Sequence, residues 1–293
     1  MQETFIKYLQ YERRYSRHTI QSYQNDLSQL ATFLNREFEV TDLAEANHSL
    51  IRSWIVNLVE AGLQPKSINR KIASIRAYYK FLMKQGAILK DPTSKVKVLK
   101  TSKKLPQFVN EQDMNLLLDN CEFEKGFTGL RDRLVLELLY GTGIRLSELI
   151  EIKPRDINYE NETIKVLGKR NKERVIPFAK TLGHLLKEYS LEKKKLFTTE
   201  LDGTLIVTDQ GAKVYPMFIY RLVKKYLNLF TTIDKRSPHV LRHTFATHLL
   251  NKGAELNAVK DLLGHTSLAA TQVYTHNSLE KLKKVFDQAH PKA

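Results

Sequence analysis

Residues 156–178, DINYENETIKVLGKRNKERVIPF, are the one stretch of this chain that reads as β-structure. Ile164 and Val166 on one side, and Val175 with Ile176 on the other, flank the polar turn GKRNKE at 168–173. β-Branched residues around such a turn predict a hairpin or a small three-stranded antiparallel sheet. Nearly everything else that is patterned repeats its apolar residues at helical spacing. The chain is therefore expected to be mainly α, with a small antiparallel β-sheet confined to its second half.

Residues 1–89 read as a bundle of about four helices. Phe5, Tyr8 and Leu9 begin the first. Ile20, Tyr23, Leu27, Leu30, Phe33 and Leu34 share one face of the second, with Thr19 as its expected cap. Leu50, Ile51, Trp54, Ile55 and Leu58 mark a third that stops near Gly62. A fourth runs from Pro65 towards Gly86 through Ile68, Ile72, Ile75, Tyr78 and Leu82. Residues 90–106, KDPTSKVKVLKTSKKLP, hold two prolines and a run of lysines with little periodicity, and read as an exposed basic linker. A second, larger domain occupies 107–293. Asn110 is a cap for a helix with Met114, Leu117 and Leu118, and another helix, Leu130 to Tyr140, ends at Gly141-Thr-Gly143. After the sheet, helices are expected at about 179–194, 216–230, 238–252, 255–263, 267–275 and 278–288.

The helix at 238–252 poses the functional question. It begins SPHVLRHTFATHLL, with Ser237 placed to cap and Pro238 at the first helical position. Leu241, Phe245, Ala246 and Leu249 form an apolar stripe, yet His239 and Arg242 share a face in its first turns. Other cationic or titratable groups stand where elements end: Arg145 after the Gly141–Gly143 break, Lys169 in the hairpin turn, His265 closing LLGH, and Tyr274 in TQVYTH. Singly, each has an ordinary reading; Glu148, three residues on, is a local partner for Arg145. A metal site is not expected, because His-Val-Leu-Arg-His puts Arg242 where a zinc protease helix carries glutamate, and a fixed cation repels a metal ion. The chain has no GxxxxGK[ST] stretch, so a P-loop ATPase lacks its motif. No cofactor is expected.

Together, two arginines, a lysine and two histidines suit one phosphate gripped from several sides. Arginine binds phosphate oxygens bidentately and keeps its charge. Histidine moves a proton near neutrality, and a tyrosine hydroxyl can attack phosphorus. The overall charge agrees: 47 Lys and Arg against 32 Asp and Glu, a net of +15, favours a polyanionic partner, nucleic acid before a membrane surface. Cys121 is the only cysteine, so no internal disulfide is possible. The N-terminal stretch has no signal-peptide core, and no apolar run approaches the roughly 18 residues of a membrane span. A soluble, cytoplasmic protein without a membrane partner is expected.

The motifs TGIRLSEL, GKRNKERVIP, SPHVLRHTFATHLL, LLGH and TQVYTH resemble, in order and spacing, those of the tyrosine recombinases, and within them the Xer-type branch. The resemblance covers nearly the whole chain. It implies an N-terminal SAM-like core-binding domain, a linker, and a catalytic domain that clamp double-stranded DNA. It implies that Arg145 and Arg242 bind the scissile phosphate and that His239 helps activate Tyr274, the nucleophile. It further implies that His265 hydrogen-bonds a non-bridging oxygen, that Lys169 protonates the departing 5′ oxygen, and that Glu148 supports Arg145. Relatives often carry a second glycine in the hairpin where this chain has Arg170, so Lys172 stands as a rival to Lys169.

The reaction so implied is strand exchange through a 3′-phosphotyrosyl link and a Holliday junction, without metal or ATP. Its role would be the resolution of chromosome or plasmid dimers during chromosome partition and cell division. The implied partners are a homo- or hetero-tetramer on two DNA sites and a septal DNA translocase. Helix 278–288 carries an apolar face of Leu279, Leu282, Val285 and Phe286. It packs either on its own domain or, as the resemblance suggests, in a neighbouring subunit. A mobile-element integrase shares the chemistry, and so does a monomeric type IB topoisomerase. A third alternative is a DNA-binding protein that has lost catalysis on the same fold.

Overall fold

The computed structural model describes residues 1–102, 107–168, 173–197, 203–264, 283 and 285–289. They fall into two compact units, Met1–Lys104 and Leu105–Ala293.

In the first unit α1 (Gln2–Lys7) continues into a wider π turn, Tyr8–Glu12, and is followed by α2 (Arg17–Phe38), α3 (His48–Glu60) and α4 (Pro65–Lys84). Helix α2 starts earlier than the sequence suggested. Ser16 is its cap, accepting from the Thr19 amide, so Thr19 lies inside the first turn. Phe5, Leu30, Leu34, Trp54, Ile72, Tyr78 and Tyr79 are buried in one core, with Phe5 set edge-on to Tyr78 at 5.3 Å between ring centres.

That core also encloses a carboxylate. Asp26 of α2 accepts from both Arg70 terminal nitrogens, from Lys71 Nζ at 2.9 Å and from Ser74 Oγ at 2.8 Å, all on α4. Burial alone would raise this carboxyl; the hydrogen bonds from Arg70, Lys71 and Ser74 outweigh it and hold the group below its usual range.

The basic stretch read as an exposed linker is partly fastened down. Asn69 brackets Leu99, donating to its carbonyl at 2.9 Å and accepting from its amide at 2.8 Å. Arg76 donates to the Val96 carbonyl, His48 Nδ1 lies 3.3 Å from the Pro92 carbonyl, and Thr93 and Val96 are buried. Residues 91–99 thus belong physically to the first unit. Their two apolar anchors, Val96 and Leu99, are too few for periodicity to reveal.

The second unit is built around α6 (Phe127–Thr142), buried on nearly every side. Before it lies α5 (Glu111–Asn115), capped as expected by Asn110, which accepts from the Asp113 amide at 2.7 Å. After it come α7 (Leu146–Glu151) and the three-stranded antiparallel sheet β1 (Ile157–Asn158), β2 (Thr163–Leu167) and β3 (Glu173–Pro177). The register pairs Ile164 with Ile176 and Val166 with Arg174. These four residues are all buried, while Lys165, Leu167 and Glu173 are exposed. Helices α8 (Lys180–Leu196), α9 (Pro216–Phe230), α10 (Pro238–Asn251) and α11 (Leu256–Leu263) complete the described part. The helix expected at 267–275 lies outside the described residues. Of the last expected helix, residues 283 and 285–289 are described as helical. Phe286 and Ala289 are buried in this unit's own core, and Lys283 pairs with Glu162 at 2.6 Å. No helix among the described residues is long and apolar enough to cross a membrane.

Candidate active site

Two helices of the second unit stop at glycines in left-handed conformation, and the site forms where they stop. Helix α6 ends at Gly143 (φ 60°) and α11 at Gly264 (φ 62°). At Gly143 a side chain has no room: a Cβ would lie 2.4 Å from Phe245 Cδ1. The last carbonyls of a helix have no partner within it and carry the negative end of its dipole. Here arginines take them. Arg174 Nε donates to the Leu262 carbonyl at 3.0 Å, Arg242 Nη2 to Leu263 at 2.5 Å, and Arg145 Nη2 to Gly264 at 3.0 Å. Arg242 Nη1 also donates to the Gly143 carbonyl at the end of α6. Three consecutive acceptors on one helix end therefore hold three guanidiniums from three different elements.

Their counter-charge is Glu148 in the first turn of α7. Its Oε1 accepts from Arg145 Nη1 and Arg174 Nη1, both at 2.7 Å. Its Oε2 accepts from Arg174 Nη2 at 2.8 Å and from the Arg145 amide at 2.7 Å. Burial alone would raise this carboxyl, but Arg174 first and Arg145 second pull it down to about 2. Arg242 is pushed down to about 10, by burial and then by Arg145 and Arg174, with Glu148 opposing. Arginine side chains keep their charge in proteins. Against one carboxylate these three leave a formal excess of two positive charges in a largely dry place, which suits a phosphodiester anion. The Arg145 side chain is 30 % exposed and Arg174 only 5 %, so Arg145 is the more open of these two to a ligand from outside.

Helix α10 brings the remaining described residues. Arg242 is buried, and His239, one turn earlier, is exposed. Pro238 stands at the first helical position, as expected, but Ser237 does not cap with its side chain. The far end of α10 is pinned. Buried His248 shares a hydrogen bond of 2.9 Å with the Tyr140 hydroxyl, and Thr244 Oγ1 accepts from the Val109 amide at 3.0 Å. Burial lowers the His248 pKa.

Of the residues singled out in the sequence, Arg145, Glu148 and Arg242 come together, and His239 lies on the same helix as Arg242. Lys169, Lys172, His265 and Tyr274 lie outside the described residues. Sequence reasoning missed Arg174. The available signal was its period: it stands two residues before Ile176 on an inward-facing strand row, where a charge needs a buried partner.

Glu148 gives the site a pH signature. Its carboxyl titrates near 4.5 when unhindered and about 2 in the fold. Its stabilising contribution is therefore fully present above pH 4.5 and is lost as pH falls towards 2, amounting to about 3 kcal/mol. Between pH 5 and 2, urea midpoints of the wild type are expected to fall more steeply than those of Glu148→Gln. Parallel curves would place the carboxyl outside this ion-pair network.

Comparison with known proteins covers both units. Positions 107–281 match the phage integrase family, and 3–86 match the phage integrase N-terminal SAM-like domain. Among curated relatives, tyrosine recombinase XerC of Staphylococcus carnosus is 39% identical over 293 residues, covering 100% of this chain and 98% of its own. Tyrosine recombinase XerC of Chlorobaculum parvum is 36% identical over 316 residues, covering 99% of this chain and 94% of its own. Tyrosine recombinase XerD of Staphylococcus haemolyticus is 36% identical over 293 residues, covering 99% and 98%. Among solved structures, the XerH site-specific recombinase bound to palindromic difH substrate in a post-cleavage complex superposes with a TM-score of 0.73. It shares 23% identity and covers 97% of this chain and 83% of that one. The Tn1549 transposon integrase in complex with transposon right end DNA gives 0.72 at 21% identity, covering 97% and 98%. At these identities the structural likeness concerns the fold.

Proposed function

Because the chain belongs to the phage integrase family, the tyrosine recombinases, we propose that it is an Xer-type site-specific DNA recombinase. It acts in the cytoplasm on chromosome or plasmid dimers. The observation that carries this reading is the trio of arginines seated on the α11 carbonyls around one carboxylate, a cationic site with Arg145 open to solvent. The relatives named XerC and XerD, matched over 94% or more of their length, favour the Xer role over a mobile-element integrase.

In the proposed reaction Arg145 and Arg242 hold the non-bridging oxygens of the scissile phosphate, with His265 donating to one of them. The Tyr274 hydroxyl attacks phosphorus and its proton passes towards His239. The bond from phosphorus to the 5′ oxygen breaks, and Lys169 supplies the proton that leaves with the 5′-hydroxyl. The chain is then joined to DNA through a 3′-phosphotyrosyl ester. Attack by a 5′-hydroxyl from the partner duplex reverses the step, so phosphodiester energy is conserved and ATP is not needed. Two such rounds pass through a Holliday junction. Assembly on two sites is proposed as a homo- or hetero-tetramer, with helix 278–288 docking in a neighbouring subunit in a cyclic contact. A septal DNA translocase is proposed to act on that assembly.

The decisive experiment traps the covalent intermediate on nicked suicide substrates made from genomic DNA and sequences the trapped ends. The wild type is expected to give a denaturant-resistant adduct, and Tyr274→Phe none. Adduct formation by Tyr274→Phe, or its absence from the wild type, overturns the reading.

The general acid is tested separately with a 5′-bridging sulfur at the trapped site, a leaving group that needs no proton. This substrate is expected to restore cleavage to Lys169→Ala and not to Lys172→Ala; the reverse pattern assigns the role to Lys172.

A further inference from the structure

Arg174 is the member of the arginine trio with no part in the proposed reaction, and it is the least exposed. Its guanidinium makes two kinds of contact. Nη1 and Nη2 fork onto the two oxygens of Glu148 at 2.7 and 2.8 Å, while Nε donates to the Leu262 carbonyl at 3.0 Å. It also lies flat against the end of α11: a Cβ at Gly264 would stand 3.1 Å from Arg174 Cδ and 3.2 Å from Nε and Nη1. Strand β3, which carries it, is thereby joined to α7 and α11 together.

The fork has a consequence for Arg145. An ionised carboxylate is itself a strong two-oxygen acceptor for a guanidinium. Glu148 is adjacent to Arg145 and could claim both of its terminal nitrogens. It does not: Arg174 forks onto both oxygens, the Arg145 amide takes the remaining site on Oε2 at 2.7 Å, and Arg145 keeps a single side-chain bond, from Nη1 at 2.7 Å. The Nη2 group reaches the Gly264 carbonyl instead. Of the five N–H donors of Arg145, two are engaged by these bonds among the described residues, and the rest of the guanidinium can turn to a phosphate.

We propose that Arg174 is a positioning residue that restrains Glu148 and so keeps Arg145 available to the scissile phosphate. Without Arg174 the buried carboxylate, still needing a cation, turns onto Arg145 and draws its donors inward. This rests on the recombinase reading. It differs from a purely structural role in one respect: the damage from losing Arg174 is transmitted by the negative charge of Glu148, so neutralising Glu148 repairs part of it.

The test compares the wild type, Arg174→Met, and Arg174→Met combined with Glu148→Gln. The probe is a nicked duplex bearing the site recovered by trapping. Arg174→Met is expected to bind this duplex with half-saturation close to wild type. Its adduct formation at saturating DNA is expected to slow roughly 100-fold, the scale of an ångström-sized misplacement of a catalytic group. The double variant is expected to regain a large part of that rate. An unchanged rate in Arg174→Met, or no recovery in a double variant that folds, overturns the proposal. Should Arg174→Met not fold, Arg174→Gln, which keeps a polar donor but removes the cation, carries the same expectations.

A readout independent of DNA is the ¹⁵Nε–¹Hε resonance of Arg145. It is expected to shift when Arg174 is replaced and to return towards wild type in the double variant; an unmoved resonance overturns the proposal. A wild type that forms no adduct on any duplex overturns the recombinase reading instead, and this resonance still decides the role of Arg174.

Discussion

Arg242→Lys is expected to slow covalent adduct formation on the trapped site by roughly 100–1000-fold, the cost of removing one preorganised donor from a transition-state oxygen. Arg242 donates through Nη2 to Leu263 and through Nη1 to Gly143, the ends of α11 and α6. Its planar fork can satisfy both carbonyls and still aim further N–H groups at a phosphate. An ammonium is a compact point charge that cannot span the same positions. Charge is conserved in this substitution, so affinity for duplex DNA is expected to change little. Adduct kinetics at saturating DNA separate the two effects. A rate within tenfold of wild type would mean that charge alone is required at this position.

Asp26→Ala is expected to destabilise the first unit by about 3–5 kcal/mol, the range for removing one partner of a buried ion pair. The effect arises from what is left behind: Lys71, whose side chain is only 6 % exposed, loses its carboxylate, whereas Arg70 at 49 % can turn to water. Chemical denaturation followed by fluorescence of Trp54, the single tryptophan, buried in this unit's core, reads the change. Combining Asp26→Ala with Lys71→Met removes the stranded charge and is expected to recover much of the loss. If the single substitution moves the midpoint no more than a surface change does, the pair is not stabilising in the way its geometry implies.

The helical bundle was legible because Leu27, Leu30 and Leu34, or Ile68, Ile72 and Ile75, repeat at helical spacing, and because Pro65, Gly62 and Gly86 stand at helix ends. The sheet was legible from its β-branched residues around a polar turn, and the cap at Asn110 from its place before an apolar period. What escaped depended on distant partners. Thr19 and Ser16 are equivalent as local cap candidates, and only the backbone decides between them. Residues 91–99 are held by Asn69, Arg76 and His48, none of which is near them in sequence.

The site was half legible for the same reason. Arg145 with Glu148 is a local pair at helical spacing, and Arg242 belongs to a recognisable motif. The contact from Arg174 to Glu148 crosses 26 positions, and that from Arg174 to Leu262 crosses 88. The acceptors that complete the site are backbone carbonyls, and these have no letter of their own in a sequence.

That last property shapes how such a protein can drift over generations. The oxygens of residues 262–264 belong to peptide groups, so no codon change at those positions can delete or relocate them. Leucines there answer only to hydrophobic packing, and another apolar residue of similar bulk would leave the grip on the arginines as it was. Hereditary constraint falls instead on Gly143 and Gly264, whose missing side chains let the two helices terminate in this geometry. In a lineage descended from this chain, the holders of the cationic cluster would be traced by two invariant absences rather than by any polar residue.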